Sequence, residues 1–136
     1  MEKRISEEII RLVANLFIYG KVYRKTCEIL GVKGSTRLAI LTLEPPLHLP
    51  LVRLKGLLGL IPGQNEERYY HKLRKSLAQC ATNLYINTKR GVSVSNEVAE
   101  VVNLLPERQA IYRLQLIILK ALWIAYLMTV KPLAGE

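Results

Sequence analysis

The chain contains no aspartate. Its 11 acids are all glutamates, set against 20 lysines and arginines, for a formal net charge of +9 on 136 residues. Aspartate clusters of the kind that hold metals or share proton transfer in many hydrolases cannot be built here. Histidine is scarce too. His48 is boxed between Leu47, Leu49 and Pro50, and His71 lies among basic neighbours. Neither has a cysteine or second histidine at ligand spacing, so no metal centre is expected. The two cysteines, Cys27 and Cys80, are far apart with no motif around them. They are expected as small buried hydrophobes rather than as a disulfide.

Phosphate-cradling and dinucleotide-binding glycine motifs are missing as well. The paired carboxylates, Glu66 with Glu67 and Glu97 with Glu100, fall in helix first turns, where the helix dipole accounts for them. No catalytic residue and no cofactor is therefore expected, and the chain reads as a protein that binds or coats. The start carries Glu2, Glu7 and Glu8 with no long apolar run behind a basic stretch, so no secretory signal is expected.

What remains is abundant. Half of the residues are hydrophobic, enough for one domain with a core of its own. All of the periodicity is helical, and the expected class is all-α: a basic helical arm over 1–44, then a compact apolar bundle over 45–136. In the arm, Ser6 can cap a helix carrying Ile9, Val13, Leu16 and Phe17, and Gly20 interrupts it. A second helix spans Lys21 to Leu30 and is closed by Gly31 and Val32. Ser35 can cap a third, Thr36 to Leu43. Pro45, Pro46 and Pro50 predict an extended connection.

In the bundle, Leu51 to Leu60 reads as a leucine-rich helical piece weakened by Gly56 and Gly59. The clearest amphipath covers Gln64 to Thr88. Tyr69, Leu73, Leu77, Cys80 and Leu84 recur on one side, with Arg68, Lys72, Lys75, Gln79 and Asn83 on the other. Lys89, Arg90 and Gly91 close it. Ser95 or Asn96 caps a further helix to about Leu105. Pro106 opens the last one, which is expected to stop before Pro132. That helix is apolar around most of its circumference, with Gln109, Arg113, Leu116 and Lys120 on one narrow stripe. Such a helix is a core helix or a subunit interface, and Lys120 in its middle argues against a membrane span.

The cations form two groups interleaved with tyrosines. Lys21, Arg24, Lys25, Lys33 and Arg37 make the first, and Arg68, Lys72, Arg74 and Lys75 the second. Lysine and arginine beside tyrosine hydroxyls are what phosphate oxygens are held by, so a polyanion is the expected partner.

Two resemblances follow. The run Thr26-Cys27-Glu28-Ile29-Leu30-Gly31-Val32-Lys33-Gly34-Ser35-Thr36-Arg37 resembles the helix-turn-helix of transcription regulators. It implies that the helix after the turn reads bases in the major groove. Beyond Arg37 that helix is Leu-Ala-Ile-Leu-Thr-Leu, which leaves little polar surface to touch a base. The second resemblance spans the whole chain. A basic helical arm, a proline break at Pro45-Pro46 and an apolar bundle look like the major capsid proteins of archaeal filamentous viruses. The many leucines, isoleucines, valines, arginines, lysines and glutamates suit a thermophilic source.

This second resemblance implies a virion protein that wraps double-stranded DNA without sequence choice. A cytoplasmic DNA-binding regulator is the alternative. The family pattern implies phosphate contacts at Arg11, Lys21, Arg24, Lys25, Lys33 and Arg37, and next at Arg68, Lys72 and Lys75. The apolar last helix and the leucine-rich piece predict an interface with another copy or a close paralogue at Leu57, Leu58, Trp123, Ile124 and Leu127.

Overall fold

The computed structural model describes residues 17–34, 36–43, 45–58 and 71–134. Among these residues the fold is all-α and there is no strand. Helix α1 covers 17–30, α2 Thr36–Leu43, α3 Leu51–Leu57, α4 His71–Lys89, α5 Asn96–Leu104 and α6 Glu107–Ala134.

The ends of these helices follow from local chemistry. At the end of α1, Gly31 takes φ +70°, its N–H bonds Glu28 O at 3.2 Å, and Val32 N–H bonds Cys27 O at 3.0 Å. This pair of bonds satisfies carbonyls that the helix leaves open. The same motif closes α4. Gly91 takes φ +91°, with Gly91 N–H to Thr88 O at 3.1 Å and Val92 N–H to Asn87 O at 3.0 Å. Ser95 caps α5 by accepting Val98 N–H at 3.3 Å. Its own N–H donates to Leu30 O at 2.9 Å, which ties the end of α1 to the start of α5.

One core joins all of these elements. Val22 and Leu30 of α1 and Leu38 and Leu41 of α2 are buried in the same cluster as Leu54, Leu77, Val98, Leu114, Ile118 and Leu122. The described part of the expected arm, 17–43, therefore lies against the bundle and shares its core. Helix α6 is central, packed on α4, α5 and α3. By length and composition 107–131 could cross a membrane. Here Ala110, Leu114, Ile118, Leu122 and Ala125 are fully buried against the neighbouring helices.

Several expected boundaries move. Gly20 does not interrupt α1, which runs unbroken through it. A glycine inside a helix costs only about 1 kcal/mol, and the burial of Val22, Thr26 and Leu30 outweighs it. The proline segment is turned over 45–49 and extended at Pro50: Leu47 N–H bonds Pro45 O at 2.9 Å, Leu49 N–H bonds Pro46 O at 3.1 Å, and Pro50 takes φ −59° and ψ 149°. Burial of Leu47 folds it inward. Helix α6 passes through Pro132 and ends at Ala134. The missing N–H of the proline removes one intrahelical bond, and only two residues of the helix follow it. Ser6 and its helix, the cap at Ser35, the Gly59–Leu60 end of the leucine-rich piece and the start of the long helix lie outside the described residues.

Candidate nucleic-acid interface

Helix α4 contains no acidic residue. Leu73, Leu77, Cys80, Ala81 and Leu84 are buried, as the periodicity predicts. The opposite face carries Lys72, Lys75, Gln79 and Asn83, all exposed at spacings of three and four. Arg74 is exposed on a flank, and Lys89 and Arg90 are exposed at the end. The helix is about 28 Å long, and a duplex of that length presents roughly 16 phosphate charges. Lys89 Nζ lies 5.8 Å from the Tyr85 ring centre.

Helix α1 turns Lys21 and Arg24 outward, with Lys25 half-buried beside them. Lys21 Nζ sits 4.3 Å over the Phe17 ring, an aromatic contact that leaves the ammonium charged. Phe17 is itself 58% exposed and does not continue the expected apolar stripe. Arg24 Nε donates to Gly20 O at 3.4 Å. Lys25 Nζ pairs with Glu28 at 3.4 Å, the one ion pair among the described residues. Lys33 is exposed in the loop that follows. Tyr23 faces inward: a Cβ on Gly34 would collide with its hydroxyl, and it hydrogen-bonds Cys27. It is not available to phosphate.

The nine expected phosphate contacts therefore divide. Lys21, Arg24, Lys25, Lys33, Lys72 and Lys75 are on the surface of α1, its following loop and α4. Arg37 lies on α2, with nothing described of its side chain, and Arg11 and Arg68 lie outside the described residues. Sequence reasoning did not nominate Arg53, Lys89, Arg90, Arg108, Arg113, Lys120 and Lys131, which are also exposed. Their signal was charge alone, since none sits in either basic group. The acids among the described residues are Glu28, Glu97, Glu100 and Glu107. Only Glu28 neutralises a cation.

The helix-turn-helix expectation meets a packing fact. Leu38, Leu41 and Thr42 of α2 are at most 3% exposed, and Thr42 Oγ1 donates back to Leu38 O at 2.8 Å. What α2 turns outward is Leu43, with no base-reading side chain described. Base edges are read by amides, guanidinium and carboxylate groups, and this helix offers none on its described surface.

The expected copy-to-copy surface needs a correction at Leu58. It is 3% exposed and packs inside the chain's own core, because the end of α3 turns it inward. Trp123 is half-buried and its Nε1 donates to Leu49 O at 3.0 Å, which anchors the proline segment to α6. Nothing is described of the Leu57 side chain. Ile124 is half-buried and Leu127 is exposed. Met128, which the sequence reading left out of this surface, is 51% exposed beside Leu127.

Both cysteines are buried, and neither is in a disulfide. Burial pushes the Cys27 thiol above its ordinary value, and the hydrogen bond with Tyr23 opposes that in part. A buried, protonated thiol is a packing group, not a nucleophile. Among the described residues no cluster of histidine, cysteine or acid could hold a metal.

No family model, no curated protein and no solved structure matches the chain.

Proposed function

We propose that this chain is a non-enzymatic protein that coats nucleic acid through phosphate contacts and assembles with further copies. Its specific form, drawn from the whole-chain resemblance, is the capsid subunit of a filamentous virus, located in the virion. One observation carries the proposal. The exposed cations of α1, the 31–34 loop and α4 are set against four acids among the described residues, and one ion pair is formed. Folding alone does not require so much unneutralised charge of one sign, and it raises self-repulsion. A polyanion removes that repulsion and releases its own counterions.

The packing of 17–43 against the bundle changes how the contacts would be made. Phosphates meet the outward faces of folded helices, and no free arm is needed. The chemistry is indifferent to base sequence and common to single and double strands. The resemblance implies the double-stranded form.

The test is titration of random-sequence duplexes and strands at several salt concentrations, read by fluorescence anisotropy. With about five phosphates engaged, log K falls by about 4.5 per decade of salt on duplex and about 3.5 on a single strand. A salt-insensitive affinity, or strong preference for one sequence, would sink the proposal.

A further inference from the structure

The end of α1, its following loop and α2 stand beside the C-terminal half of α4 across a partly open cleft of about 340 Å³. Its floor is aliphatic: Leu30, Leu38, Leu84 and Ile118 are all nine-tenths or more buried. Its rim on α4 is polar. Asn83, Asn87 and Arg90 follow one another at spacings of four and three, so they climb one edge about one helical turn apart. Their side chains form no hydrogen bond or ion pair among the described residues. Val32 and Gly34 form the opposite lip; Lys33 between them is exposed but does not itself line the cleft.

Arg90 complements the carbonyl end of α4, and that explains its charge. It does not explain an apolar hollow beneath two unengaged carboxamides. A hollow of this size falls in the range that holds small organic groups. An amide offers two donors and an acceptor in one plane, which matches the edge of a nucleobase. Aliphatic walls accept the faces of the ring, as in pockets that hold extruded bases. Arg90 at the α4 lip is where a flanking phosphate would lie. A long acyl chain would fit worse, because two of the three polar rim groups are neutral and hydrogen-bonding.

We infer that this cleft takes one unpaired nucleotide. Its base would lie on Leu30, Leu38, Leu84 and Ile118, its edge against Asn83 and Asn87, and its phosphate at Arg90. The inference rests on the nucleic-acid reading above and changes the form of the partner. Lys72 and Lys75 lie on the same helix, 18 and 15 residues before Arg90. A strand following them along α4 would reach the cleft with a base that can turn in. A duplex cannot offer one without breaking a pair, so the chain prefers single strands.

The experiment compares a 20-nucleotide strand carrying one 2-aminopurine with its duplex, using the full chain. The strand is expected to bind about tenfold more tightly, because the duplex must first break a pair to offer a base. The 2-aminopurine emission rises as that base leaves its stack. Asn87→Trp fills the mouth from an exposed position. It brings strand affinity down to the duplex value and abolishes the emission change, with duplex affinity unaltered. The double variant Asn83→Ala/Asn87→Ala removes the edge contacts without added bulk and moves strand affinity the same way, by several-fold. Equal binding of strand and duplex, unchanged in all variants, overturns the cleft inference alone. Displacement of a fluorescent fatty acid by Asn87→Trp with no effect on strand binding also overturns it, in favour of a lipid. Absence of binding to either nucleic acid overturns it together with the proposed function.

Discussion

Two glycines with the same backbone conformation have different neighbours, and their substitution separates strain from collision. Gly31 and Gly91 both hold positive φ at helix ends. A Cβ on Gly31 would stand 2.5 Å from Ser95 N and 2.9 Å from Val94 C, both backbone atoms that cannot turn aside. A Cβ on Gly91 would meet nothing within 4 Å. Gly91→Ala should cost about 1–2 kcal/mol, the left-handed penalty alone. Gly31→Ala should cost clearly more, because α1 must also part from the start of α5. Urea unfolding of the two variants checks the order, and equal costs would refute the close approach. Cys27 supplies a pH dependence. Its folded-state thiol is held above the ordinary value, so the unfolded chain loses its proton first as pH rises. The native state then binds more protons, and stability falls with rising pH above about 8.5. Between pH 7 and 9.5, wild type should lose more stability than Cys27→Ala, and the difference isolates this thiol.

At the scale of elements, the sequence was most legible where one periodicity met one clear end. The apolar side of α4, the glycine closures after α1 and α4 and the cap at Ser95 are all local, and all were expected. What local pattern missed was decided by tertiary contact. Gly20 looks like a break, but burial of the α1 residues around it holds the helix together. The three prolines look extended, but Leu47 lies in a turned stretch closed by bonds to Pro45 and Pro46, while Pro50 stays extended, and Trp123 binds Leu49 from 74 residues away. Leu58 looked like surface because nothing in its own segment revealed that the core would take it. Charge is more legible than packing, since lysines seldom go inside. That gives a direct comparison of helices. Lys72→Gln with Lys75→Gln should make the salt dependence of binding shallower by about two, one per phosphate contact. Lys21→Gln, Arg24→Gln and Lys25→Gln together should change it less than three such contacts would. Lys25 is paired with Glu28, and Lys21 is engaged by Phe17. Both sets should leave stability within about 0.5 kcal/mol. A larger loss from the α1 set would move the main contact surface to α1.

For the whole molecule the question is what lies against the end of α6. The buried face of that helix ends its full-depth packing at Ala125, and Leu127 and Met128 then stand 40% and 51% exposed. Lys120 and Lys131 flank them on the solvent side. Isolated apolar side chains are normal on a surface, but adjacent ones at the end of a core helix make a small contact patch. The net charge of +9 opposes association of free subunits, and a bound polyanion removes that opposition. Assembly should therefore be coupled to nucleic acid. Sedimentation should show small species for the chain alone and large ones once nucleic acid is added, at low salt. Leu127→Ser with Met128→Ser should leave the first nucleic-acid binding step unchanged while lowering the mass of the complexes, because neither residue belongs to the basic surfaces of α1 and α4. A closed dimer that stays the same size with and without nucleic acid would contradict this. Head-to-tail contact that does not close on itself is what extends a filament, and a two-fold contact saturates at two copies.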